Sequence, residues 1–76
     1  MFDKITAKQF YELEESLPYP HRFVDLMKEY TGLEARPCLA YQFFDAGGCF
    51  VGDNWDDGLA DILITAEIEV VDDGKE

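Results

Sequence analysis

The sequence predicts an α+β fold, a two-helix hairpin packed on a three-stranded antiparallel sheet in the order ααβββ. Apolar residues recur at helical spacing as far as Tyr30, they alternate after Arg36, and no helix separates the alternating segments as a βαβ unit would require. With 76 residues, 47% of them apolar and 14% aromatic, the chain can build one thin core, so residues 1–76 form a single domain.

The first helix has a marked start. Thr6 and Gln9 make a capping box, in which each side chain satisfies an orphan backbone donor of the other's turn, and Ile5 and Phe10 stand at the spacing of a hydrophobic staple. Phe10, Leu13 and Leu17 then share one face, with Glu12, Glu14 and Glu15 mostly on the others. Pro18 disfavours a helical Leu17 and ends the element, so Leu17-Pro18-Tyr19-Pro20 is a stiff corner. The second helix takes Pro20 into its first turn, buries Phe23, Leu26, Met27 and Tyr30, and runs to about Thr31, where Gly32 supplies the left-handed stop.

Strand signals follow. Leu39, Tyr41 and Phe43 alternate with Cys38, Ala40, Gln42 and Phe44, and Asp45-Ala46-Gly47-Gly48 is turn chemistry, so a hairpin leads into a second strand at about Cys49 to Asn54. The third strand is drawn by Ile62, Ile64, Ala66, Ile68 and Val70, alternating with Leu63, Thr65, Glu67, Glu69 and Val71. One of its faces is buried and the other acidic.

The charge is the strongest functional signal. Seventeen acids against six Lys or Arg give a net charge of −11, and the two halves differ sharply. Residues 1–44 hold seven acids and five bases; residues 45–76 hold ten acids and one base, Lys75. Such a field repels nucleic acid and acidic membranes and attracts basic protein surfaces. Any single acid can be plain solvated surface, but so many in about thirty residues raises self-repulsion in a marginally stable domain. The expected partner-binding residues are therefore Asp45, Asp53, Trp55, Asp56, Asp57, Asp61, Glu67, Glu69, Asp72 and Asp73. On an acidic strand face, Glu67 and Glu69 would stand about 6.8 Å apart, similar to the axial rise across two phosphate steps of one DNA strand. Trp55, set among acids, fits either an aromatic anchor of a protein interface or a ring folded over the sheet edge to close the core.

Other chemistries lack their parts. An EF-hand loop starting at Asp53 would put Trp55 and Ile64 where oxygen ligands belong, so no calcium site is expected. His21, Cys38 and Cys49 are too few and too scattered for zinc, and both thiols are expected to be small core residues. With Ser16 the only serine, and no glycine-rich phosphate loop, neither catalysis nor a cofactor is expected. The longest largely apolar run, Pro37 to Phe44, is far short of the ~20 residues a membrane span needs. Asp3, Lys4 and Lys8 interrupt any signal-peptide core, and two cysteines make no disulfide framework, so a cytoplasmic location is expected.

In size, acidity and α+β build the chain resembles small acidic phage proteins that block bacterial defence, including anti-CRISPR proteins that mimic DNA. The resemblance rests on overall character and transfers no residue. It implies a non-enzymatic inhibitor in the host cytoplasm, bound to the basic nucleic-acid groove of a nuclease or CRISPR effector subunit. An immunity protein that neutralises a basic toxin nuclease would need the same field, and an acidic adaptor domain would use it for assembly.

Overall fold

Thr6 opens the first helix as its spacing predicts. Its hydroxyl accepts from the Gln9 N–H, and the Thr6 N–H donates to Gln9 Oε1, both at 3.0 Å. The computed structural model describes residues 3–55 and 57–72. Within them the elements run β1 (Lys4–Thr6), α1 (Ala7–Ser16), α2 (Pro20–Thr31), β2 (Glu34–Pro37), β3 (Tyr41–Phe44), β4 (Phe50–Asp53), α3 (Leu59–Thr65) and β5 (Glu69–Val71). The second helix keeps its expected bounds, with Pro20 in the first turn and Gly32 as its left-handed cap at φ 76°. Ser16 and Thr31 are buried but satisfied, because their hydroxyls donate to the Leu13 and Met27 carbonyls.

The α+β class holds, while the strand assignment changes in two places. The segment expected as one strand up to Phe44 is a hairpin of its own. Cys38, Leu39 and Ala40 turn the chain between β2 and β3, leaving Leu39 91% exposed. The three-stranded antiparallel sheet has the order β2-β3-β4, with Ala35 opposite Phe43, Arg36 opposite Gln42, and Gln42 opposite Asp53. Between Phe43 and Phe44 the register shifts: Phe43 faces Gly52 and Phe44 faces Phe50, so Val51 is the extra residue of a bulge.

The second correction concerns the expected third strand. Residues 59–65 form α3, and only Glu69–Val71 is extended. Leu59, Ile62 and Leu63 lie at i, i+3 and i+4, a helical stripe, and all three are buried, whereas Ile64 is exposed. The helix ends in a Schellman motif, in which Ile68 N–H donates to the Leu63 carbonyl and Glu67 N–H to the Ile64 carbonyl. Glu67 occupies the left-handed position usually held by glycine, at φ 63°. Strand β5 then pairs in parallel with β1, Lys4 opposite Glu69 and Thr6 opposite Val71, in a separate two-stranded sheet.

The core lies between the helices and the inner face of the three-stranded sheet. Phe23 of α2 is its centre, with ring centroids 4.4 Å from Tyr41 and 6.0 Å from Phe43. Helix α3 closes the β4 side. A Cβ built on Gly52 would come within 2.9 Å of Ile62 Cδ1, so glycine at this position lets helix and strand approach. Among the described residues no helix is long and apolar enough to cross a membrane.

Candidate functional site

Because opposed residues of an antiparallel pair project to the same side, the outer sheet face can be read from the register. Glu34, Phe44 and Phe50 form one row across it, and Arg36, Gln42 and Asp53 the next. The side chains interlock. The Arg36 guanidinium carbon lies 4.2 Å from the centroid of the Phe44 ring, and the Phe44 and Phe50 rings meet edge to face at 5.6 Å. Glu34 Oε2 accepts from Arg36 Nε at 3.0 Å, and the guanidinium holds the Glu34 carboxyl below its ordinary pKa. Phe50 remains 56% exposed.

At the end of this face two turns meet. The β2–β3 turn is tightened by the Cys38 N–H donating to the Ala40 carbonyl at 2.7 Å. The turn after β4 is wound by the Trp55 N–H donating to Asp53 Oδ1 at 3.2 Å, and it is tied to β3 by Asn54, whose Oδ1 accepts from the Tyr41 N–H at 2.7 Å. Between the turns lies an open cleft of about 210 Å³, lined by Cys38, Leu39, Ala40, Tyr41, Gln42, Asp53 and Trp55. It is smaller than the usual ~300–1,000 Å³ of a small-molecule site and matches the bulk of a single side chain. The Trp55 indole is 69% exposed, so the reading of Trp55 as a ring closing the core does not hold.

The expected site residues disperse over several elements. Asp53 and Trp55 share the cleft, and Asp57 reaches the other side of β4, its Oδ2 3.7 Å from the position of a Gly52 Cβ. Asp45 stands in the β3–β4 turn, where its Oδ1 accepts from the Gly47 and Cys49 N–H groups. Asp61 lies in the first turn of α3 and favours its positive end. Glu67 and Glu69 do not share a strand face, because Glu67 caps α3 and only Glu69 is in β5. The phosphate-like row expected from their spacing is therefore absent. Asp72 follows β5 and is exposed; Asp56 and Asp73 fall outside the described residues.

Neither cysteine is in the core. Cys38 belongs to the β2–β3 turn and Cys49 to the end of the Asp45 turn, places with no inward strand face to enter, and both are exposed. Among the described residues no group of three or more His, Cys, Asp or Glu is placed to hold a metal ion. Sequence reasoning missed Leu39, Phe44 and Phe50 as surface residues; their apolar character reads as core until the turn at 38–40 and the bulge at Val51 are known. Comparison of the chain with protein-family models, curated proteins and solved structures finds no match.

Proposed function

We propose that this chain is a non-enzymatic acidic inhibitor that occupies a basic nucleic-acid-binding surface of a nuclease or CRISPR-type defence complex, acting through the charge that DNA would present. The observation that carries the reading is the exposed Trp55 indole in a turn braced by the Asp53 carboxylate, within the half of the chain that holds ten acids and one base. An aromatic anchor beside carboxylates is the make-up of a protein-binding hot spot, and the surrounding field steers a basic partner toward it. The described acids are spread over the Asp45 turn, the end of β4 at Asp53, helix α3 at Asp61 and strand β5 at Glu69, so the mimicry is of charge density and not of a regular phosphate ladder.

The test is affinity capture of the partner followed by competition with duplex DNA at several salt concentrations. DNA should displace the protein, and binding should weaken as salt rises, because screening acts over about 8–10 Å near physiological ionic strength. The paired reversal Asp56→Lys with Asp57→Lys should weaken binding at least tenfold, consistent with like-charge juxtapositions costing several kcal/mol. Glu14→Lys with Glu15→Lys on α1 should change it far less. A partner that binds this protein and DNA together, with unchanged affinity for each, would sink groove competition.

A further inference from the structure

We propose that the cavity between the end of α2, the β3–β4 turn and the α3–β5 connection binds a small apolar zwitterion of dipeptide size, its carboxylate at Lys28 and its ammonium at Asp45. The site lies at the other end of β3 from the Trp55 cleft and does not rest on the inhibitor reading. Its floor is apolar. Helix α2 stops at Gly32 and helix α3 at Ala66, and just beyond those caps Leu33 and Ile68 are nearly buried, at 5% and 4% exposure. Together with the Ala46-Gly47 turn these residues line an open cavity of about 750 Å³, within the usual ~300–1,000 Å³ of small-molecule sites.

Two opposite charges stand on this apolar lining. Lys28 and Asp45 both line the cavity, yet neither forms an ion pair among the described residues. Asp45 is held in place, because its Oδ1 accepts from the Gly47 and Cys49 N–H groups at 2.9 Å, and both bonds fall on that one oxygen. Lys28 acts on the Glu34 carboxylate only from beyond ion-pair distance, and that carboxylate is taken by Arg36 at 3.0 Å. The rest of the chain selects the ligand's charge. A net charge of −11 opposes a free anion and Lys28 opposes a free cation, whereas a zwitterion adds no net charge and brings each group its counterpart. Apolar side chains between the ligand's two charges then cover Leu33, Ala66 and Ile68 and remove them from water.

The probe is leucyl-leucine, titrated calorimetrically into the full chain beside its N-acetyl and C-amide forms. The free dipeptide should bind about tenfold more tightly than either blocked form, the loss expected when one charge-assisted contact is removed. Asp45→Asn keeps an acceptor for the Gly47 and Cys49 N–H groups, and should bind the N-acetyl form as well as the free dipeptide while still rejecting the amide. Lys28→Met keeps an apolar stem, and should bind the amide as well as the free dipeptide while still rejecting the N-acetyl form. Circular dichroism verifies that both variants stay folded. In wild type, amide resonance shifts should concentrate at Ala46, Gly47 and Ala66. No binding at about 10 mM dipeptide, equal affinity for the three forms, or a preference that survives both substitutions overturns the zwitterion site. Shifts centred on Trp55 would move the dipeptide to the other cleft and overturn it as well.

Discussion

The two faces of the three-stranded sheet share a backbone and are put to opposite uses. On the inner face Ala35, Tyr41 and Phe43 are buried, the two rings against Phe23, and a methyl group at Gly52 would have to push aside the tip of the Ile62 side chain. On the outer face the alternate residues of the same strands, Arg36, Gln42, Phe44 and Phe50, meet solvent. An aromatic side chain therefore has no fixed meaning in this sequence. Phe43 and Phe44 are neighbours in the chain; one is part of the core and the other supports an arginine.

The largest effect should separate these faces directly. Phe43→Ala removes a fully buried ring and should cost about 3–5 kcal/mol, a large share of the ~5–15 kcal/mol that holds an ordinary domain together. Phe50→Ala, across the sheet, should cost no more than about 1 kcal/mol. Urea unfolding of the two variants measures both, and equal losses would abolish the distinction between the faces.

A middle-sized effect sharpens the inner face. Tyr41 donates its hydroxyl to the Leu17 carbonyl at 2.5 Å, and burial raises its pKa above the ordinary value. Because its folded pKa lies above the unfolded one, the stability it contributes is fully present below pH ~10 and is lost as pH rises through the folded pKa. The phenolate cannot donate to a carbonyl. Tyr41→Phe should cost about 1 kcal/mol at neutral pH and flatten the alkaline decline in melting temperature. Part of that decline should persist, because Tyr30, which donates to Glu12, is also raised. A decline unchanged in Tyr41→Phe would place the sensitive group elsewhere.

The smallest effect touches neither face. Glu67 holds a left-handed conformation that glycine adopts without strain, so Glu67→Gly should stabilise the domain by about 0.5 kcal/mol, the relief being partly offset by a freer unfolded chain. Matched urea curves would detect this gain, and a loss would mean that the Glu67 side chain contributes more than its backbone costs.

The helical hairpin was legible because its punctuation is local. A capping box and a glycine stop each act within one turn and appear where Thr6 and Gly32 place them; the first helix also ends before Pro18, although Leu17 keeps a right-handed helical conformation at φ −51° and ψ −40° instead of the extended one expected before proline. The last third misleads because residues 62–71 satisfy two periods at once. Ile62, Ile64, Ala66, Ile68 and Val70 alternate as a strand would, while Leu59, Ile62, Leu63 and Ala66 match a helix. Packing against β4 favours the helix, and glutamate where glycine usually stops a helix hides its end. The candidate site was half legible. The acids and Trp55 could be singled out from composition, but the cleft depends on a turn at Leu39 that no Gly, Asn or Asp announces.

The parallel pairing of β1 with β5 also bears on how the chain reaches its fold. Lys4–Thr6 find their partners only at Glu69–Val71, so nearly the whole described chain must be gathered before this two-stranded sheet can form. Closing a loop of that length costs on the order of 4 kcal/mol in chain entropy, which no local turn can offset. The β2-β3-β4 meander pairs near neighbours, whereas β1 and β5 join residues far apart in the chain, with Ile5 opposite Val70. At ten residues the capped first helix is too short to persist on its own, so the pairing that joins these distant segments also secures the ground on which that helix stands.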